Sequence, residues 1–135
     1  MIFCDEEYPK ILDDIAQFLE AKNIELVFVN DDEIRKINKQ QRGIDKATDV
    51  LSFPFLNDGS QQALLGSLVI STDTSRRVAS ELAHSYEAEI ALLFTHGVLH
   101  ILGFDHETDS GEMREKEKEV VEHFNLPQSL IVRNS

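Results

Sequence analysis

Residues 96 to 106 read His-Gly-Val-Leu-His-Ile-Leu-Gly-Phe-Asp-His, so three of the chain's five histidines fall within eleven positions. On a helix running to about Leu102, His96 and His100 lie one turn apart on the same face. Gly103 can take the left-handed conformation that ends such a helix. The chain then turns back and brings His106 toward the same point. Three imidazoles converging from a helix and the loop behind it make a metal site. Three ligands leave one position of a tetrahedral ion open, as in catalytic rather than structural zinc centres. A lone histidine on an apolar helix face is more often an ordinary core residue. Three of them around a suitably placed glycine point to ligation. His84 and His123 lack such neighbours and read as a surface or helix-end residue and as part of a C-terminal helix.

The offsets match the zinc-peptidase pattern H-E-x-x-H-x-x-G-x-x-H except at the second position, which is Gly97. Peptidases of that type need a glutamate there as general base. Glycine cannot accept a proton, so the sequence predicts the metal cage without the peptidase chemistry. Three neutral ligands leave a divalent ion's charge uncompensated. That favours an anionic ligand in the open position and lowers the pKa of a bound water. A phosphodiester fits the demand. One zinc ion suits the three histidines; nickel, cobalt and copper suit them as well, because affinity order alone does not choose among these metals.

The same eleven residues resemble the signature H-G-x-L-H-x-x-G-(Y/F)-D-H of the YbeY family, bacterial metal-dependent endoribonucleases of ribosomal RNA maturation. Residues 42 to 55, Arg-Gly-Ile-Asp-Lys-Ala-Thr-Asp-Val-Leu-Ser-Phe-Pro-Phe, resemble that family's R-G-x-D-x-x-T-D-V-L-S-F-P segment, and Leu65-Gly66-Ser67-Leu68-Val69-Ile70 resembles its L-G-D-(I/L)-V-I strand. The blocks occur in the family's order and cover most of the chain. The third departs from the pattern, with Ser67 where the family usually carries aspartate, so no function is carried onto Ser67. The resemblance implies that His96, His100 and His106 are zinc ligands and that Arg42 is the important arginine near the metal. It also implies a single-strand-specific endoribonuclease of ribosomal RNA processing and ribosome quality control. Its expected partners are ribosomal RNA, the small ribosomal subunit and a ribosomal protein.

A net charge of −12 is unusual for a protein that handles RNA. The distribution eases this. Arg35, Lys36, Lys39, Arg42 and Lys46 lie in twelve residues whose only acid is Asp45. For Arg35 and Lys36 a solvated helix face is an equal reading. Arg42 begins the second block and reads as functional; Lys46 reads as a weaker phosphate contact. The acidic remainder repels non-specific RNA and suggests a structured RNA presented by a partner.

The 135 residues make one ordinary domain, 1–135, and 41% hydrophobic content can supply a core. The single cysteine, Cys4, suits a reducing cytosol. Asp5, Glu6 and Glu7 stand where a signal peptide needs an apolar run, and the longest apolar stretch, 90–104, is too short to span a bilayer. A cytoplasmic protein with no membrane partner is the expectation. The sequence leaves the oligomeric state open.

The expected elements are a short strand within 1–5, a helix after Pro9 through Leu19, and a strand at 24–29. A helix capped from 30–32 follows, reaching about Gln41, with a loop at 42–48 bearing Arg42. Strands follow at 50–55 and 64–71, separated by a turn at Asn57-Asp58-Gly59-Ser60. Pro54 suggests an edge strand, and Gly66 a bulge or a close backbone approach. Thr72 or Asp73 caps a helix to Ala83. Helices at 87–102 and 109–124 and an apolar tail at 130–132 complete the chain. This is an α+β fold: about four strands in a mixed sheet packed with about five helices. The histidine helix is central, because Ile90, Leu93, Phe94, Val98 and Ile101 nearly ring it with apolar groups.

The leading expectation is hydrolysis of an RNA phosphodiester by metal-activated water, with Arg42 on a phosphate oxygen or the developing charge. The general base is open: Asp105 and Glu107 flank a ligand, and Asp105 equally reads as a residue that orients an imidazole. Thr48, Asp49 and Ser52 are lesser candidates. Two rivals stand beside this: a zinc peptidase or amidase with a non-standard base, and a ribosome-assembly factor whose zinc is structural.

Overall fold

The computed structural model describes residues 1–56 and 63–133. Its elements run β1 (Ile2–Phe3), α1 (Ile11–Phe18), β2 (Ile24–Val29), α2 (Asp31–Arg42), β3 (Val50–Pro54), β4 (Gly66–Ser71), α3 (Thr72–Glu81), α4 (Tyr86–Ile101), α5 (Glu112–Phe124) and α6 (Leu130–Arg133). The strands form one sheet in the order β1-β2-β4-β3. β1, β2 and β4 are parallel, and β3 pairs antiparallel with β4. The mixed α+β sheet is as expected. The helices number six among the described residues rather than five, because the apolar tail closes into a short turn of helix. The expected turn at 57–60 lies outside the described residues.

Side-chain alternation splits β4 between two cores. Leu68 and Ile70 join Ile24 and Leu26 of β2 beneath α1 and α4. Val69 faces the other way and packs with Leu51 of β3 and Ile34 of α2. β3 is an edge strand, and Pro54 ends it where the missing N–H costs no ladder bond.

α4 starts at Ser85, whose hydroxyl accepts from the Ala88 N–H at 3.0 Å. It is buried on nearly every side, with Ile90, Leu93, Phe94, Val98 and Leu99 all inaccessible. Truncating one such residue to alanine costs about 2–5 kcal/mol. Two glycines let the sheet and helix meet. A Cβ at Gly97 would fall 2.2 Å from Leu68 Cδ2, and one at Gly66 would fall 2.6 Å from the Phe53 carbonyl oxygen. Gly66 is therefore a close-approach glycine; its pairing with Ile24 and Pro54 is regular, without a bulge.

Two boundaries differ from the sequence expectation. Arg42 is the last residue of α2, not the first of the loop, because Gly43 with φ 72° supplies the left-handed stop. The cap of α3 is Ser71, not Thr72 or Asp73: its side chain accepts from the Thr74 N–H at 3.2 Å. None of the described helices is long and apolar enough to cross a membrane.

Candidate metal centre

α4 ends in a Schellman motif. The Phe104 N–H bonds the Leu99 carbonyl at 3.0 Å, and the Gly103 N–H bonds that of His100 at 3.0 Å. Gly103 sits at φ 102°, a conformation that side-chain-bearing residues rarely adopt. The reversal serves the site directly. It presents the Phe104 carbonyl to Nδ1 of His100 at 3.1 Å. The loop then closes on itself, with the Asp109 N–H on the Asp105 carbonyl at 2.9 Å and the Glu107 N–H on Asp105 Oδ1 at 3.1 Å. His106 is thereby returned over the helix end.

One ring nitrogen from each of His96, His100 and His106 lies within 4.8 Å of the other two. The tautomers of two follow from their partners. A carbonyl oxygen only accepts, so His100 carries its proton on Nδ1. Nδ1 of His96 lies 2.6 Å from Glu117 Oε2, a carboxylate, and donates in the same way. Both rings are left with bare Nε2 lone pairs, and these face one another at 3.2 Å. A donor set of converging lone pairs, each ring fixed through its other nitrogen, suits a divalent transition metal. Burial, reinforced by the neighbouring His96, pushes the His100 pKa below the usual imidazole value, which keeps that lone pair available.

Glu117 was not visible as a site residue in the sequence. It stands on α5 in a run crowded with charges. The signal was its place on the buried stripe with Met113 and Val120, where a carboxylate needs a reason to be. Its side chain is 2% exposed. Oε2 accepts the hydrogen bond from His96 Nδ1–H and Oε1 accepts from the Ile131 N–H at 3.2 Å. Asp105, a sequence candidate for orienting an imidazole, makes its hydrogen bond to Glu107 instead; Glu117 and the Phe104 carbonyl hold that role.

The histidines open onto a cleft of about 540 Å³ that Arg42, Asp49, Ser52 and Asp105 also line. The Arg42 guanidinium donates to the Ser52 carbonyl at 3.4 Å and lies 6.0 Å from the Phe53 ring centre. Asp49 Oδ1 accepts from the Val50 N–H at 2.8 Å. Desolvation raises the Asp49 pKa above the ordinary carboxylate value, with the Glu89 charge adding to it and Arg133 opposing it. Lys46 does not line the cleft. Its loop is tied to α2 by Asn38, whose side-chain amide donates to the Lys46 carbonyl at 2.9 Å. Arg35 is engaged with Asp45 at 2.7 Å, which accords with a solvated helix face there. Ser67 is buried on the β4 face shared with Val69, opposite to the face α4 covers, so it does not orient a histidine.

Gly97 points at β4, one residue round the helix from His96. A glutamate there would enter Leu68 and not the cleft. His84 is indeed just past the end of α3. It is 13% exposed and bonded through Nε2 to Glu89 Oε1 at 2.8 Å. His123, at the end of α5, lies against the Phe18 ring with centres 4.6 Å apart.

A family model described as endoribonuclease YbeY matches residues 4–125. An endoribonuclease YbeY of Campylobacter fetus is 57% identical over 99% of this chain and 98% of its own length. One of Campylobacter jejuni is 59% identical over 98% and 97%, and one of Sulfurimonas denitrificans is 50% identical over 93% and 88%. A solution structure of a Thermotoga maritima protein superposes with a TM-score of 0.61 at 30% identity, covering 90% of this chain and 87% of that one. With three converging imidazoles, a cleft-lining arginine and this likeness along nearly its whole length, the chain belongs to the endoribonuclease YbeY family.

Proposed function

We propose that this chain is a metal-dependent endoribonuclease in which His96, His100 and His106 hold one divalent ion and Arg42 engages the phosphate to be cleaved. The observation that carries the reading is the shared cleft: the bare imidazole nitrogens and the Arg42 guanidinium face one space. When bound, the ion supplies Lewis acidity toward a phosphoryl oxygen and lowers the pKa of a water molecule. The chain's own residues do the rest. Arg42 is a planar fork of five donors, held by a long bond to the Ser52 carbonyl and by the Phe53 ring 6.0 Å away, so it can turn its other donors to a phosphate oxygen. Glu117 and the Phe104 carbonyl keep the two helical imidazoles in the tautomer that ligates. Lys46, exposed on the loop after α2, adds a phosphate contact outside the cleft.

The finer reading is zinc as the ion and single-stranded ribosomal RNA as the substrate. A net charge of −12 opposes capture of free RNA, which supports delivery of the substrate on the small ribosomal subunit by a ribosomal protein, in the cytoplasm. The structure offers nothing to a peptidase reading, because the position of the peptidase base faces the sheet.

The test combines elemental analysis of the purified protein with cleavage of a single-stranded RNA by wild type and Arg42→Ala. About one metal per chain, with cleavage lost in the metal-loaded variant, is the expected result. Unchanged cleavage by Arg42→Ala removes the arginine from the mechanism, and a metal-free but active wild type removes the ion.

A further inference from the structure

α6 lies beyond residue 125, where the match to the family model ends, yet it docks on two buried carboxylates, Glu89 of the histidine helix and Glu117 of α5. Leu130 is buried and also lines the cleft. The Ile131 N–H bonds Glu117 Oε1 at 3.2 Å, and the other oxygen of that carboxylate holds His96 Nδ1 at 2.6 Å. Arg133 makes a two-pronged bond to Glu89, at 2.7 Å to each oxygen, and Glu89 is wholly buried two turns before His96 on α4. Ser129 closes the turn, taking the Arg133 N–H on its carbonyl and the Val132 N–H on its hydroxyl.

We infer that α6 is a positioning clamp for the metal site: the Ile131 N–H, fixed by the Arg133–Glu89 pair, sets the Glu117 carboxylate that aims His96 at the ion. Several features argue for this over simple capping of the chain end. Among the described residues Glu117 has one hydrogen-bond partner on each oxygen, the ligand on one and the clamp on the other, so removing either leaves it free to rotate or to recruit water. A carboxylate that is 2% exposed keeps its position only through such bonds. The interaction of Arg133 is a fork with fixed geometry, which locates α6 along α4 rather than merely attracting it. Groups behind a ligand of this kind change metal affinity about 10–100-fold when removed.

The inference rests on the proposal that the histidines hold the ion, so zinc binding by wild type is measured first, by competition with a chromophoric chelator. Failure to bind sinks both readings. Given binding, Ile131→Pro deletes the N–H at the first turn of α6, where proline is tolerated. Ile131→Ala keeps the N–H and loses only the side chain. Zinc affinity about tenfold weaker in Ile131→Pro than in Ile131→Ala is expected, with the metal-free melting temperatures recorded beside it. Equal affinities in folded proteins overturn the clamp and leave the metal site standing. A test on the unaltered chain runs in parallel, because coupling is reciprocal. Zinc must slow hydrogen exchange at the Ile131 amide about tenfold or more, beyond its effect on the α1 amides. Equal slowing in both places overturns the inference, whether or not Ile131→Pro folds.

Discussion

Nε2 of His96 and Nε2 of His100 face each other at 3.2 Å with neither nitrogen carrying a proton. Each ring spends its one N–H on an acceptor behind it, Glu117 for His96 and the Phe104 carbonyl for His100. Two lone pairs aimed at one another repel, and a cation at their meeting point relieves the repulsion. Metal and protons therefore compete for the same atoms. Zinc affinity should fall as the pH drops and protons compete for the ligating nitrogens, a competition that burial weakens at His100 by holding its pKa below the usual imidazole value. Zinc at a hundred times its dissociation constant should stabilise the fold by about 2.7 kcal/mol. Calorimetric melts with and without zinc at pH 7.5 and pH 5.5 check both, the shift shrinking at the lower pH. Removing a ligand separates the remaining rival. His100→Ala should abolish binding and keep a folded metal-free domain; loss of the fold would point to a structural ion.

Gly97 is where the zinc-peptidase pattern and this chain part, and packing explains why. A Cβ there meets Leu68 Cδ2 at 2.2 Å. Gly97→Ala should destabilise by about 1–3 kcal/mol through overpacking while leaving the three ligands in place. Gly97→Glu, which completes the peptidase pattern on paper, should fail to fold and should show no casein hydrolysis. A folded, proteolytic Gly97→Glu protein would falsify the placement of this residue against the sheet.

Charge alone does not account for Arg42. Its side chain spans from the end of α2 to the cleft wall, with a donor on the Ser52 carbonyl at 3.4 Å. A lysine keeps the charge and loses the fork. Arg42→Lys should lower RNA cleavage about 10–100-fold, less than the loss from Arg42→Ala, which sits nearer the 10²–10³ typical of a lost transition-state donor. Full activity in the lysine variant would reduce the residue to a general attraction for phosphate, recognisable by a steep salt dependence.

Asp49 is a carboxyl held where ionisation is disfavoured. Burial raises its pKa, Glu89 raises it further and Arg133 offsets part of the effect. The folded-state pKa thus lies above the unfolded one. Between the two values the native protein binds more protons, so this group's contribution falls as the pH rises from about 4. Asp49→Asn keeps an acceptor for the Val50 N–H and removes the charge. Its melting temperature should exceed that of wild type at pH 7 and converge with it near pH 3.5. Identical melts at pH 7 would mean that Arg133 fully compensates the carboxylate. The same variant, assayed for cleavage, tells whether a charge kept at a cost in stability serves the reaction.

The sequence by itself determined the parts of this protein that are local. Ligand spacing, the glycine that ends α4 and the apolar ring around that helix all depend on neighbours a few residues apart, and 3.6-residue periodicity makes them legible. The strand at 24–29 and the edge character of β3 were readable for the same reason, from β-branched content and one proline. Tertiary structure alone decided what stands behind the ligands. Glu117 is 21 residues from His96 and Arg133 is 44 from Glu89; in a chain with 25 acidic residues, no spacing rule says which carboxylate will be buried. The direction of Gly97 and the face on which Ser67 lies depend on how α4 sits on β4. That arrangement arises from close packing between segments distant in sequence, which a one-dimensional pattern does not encode.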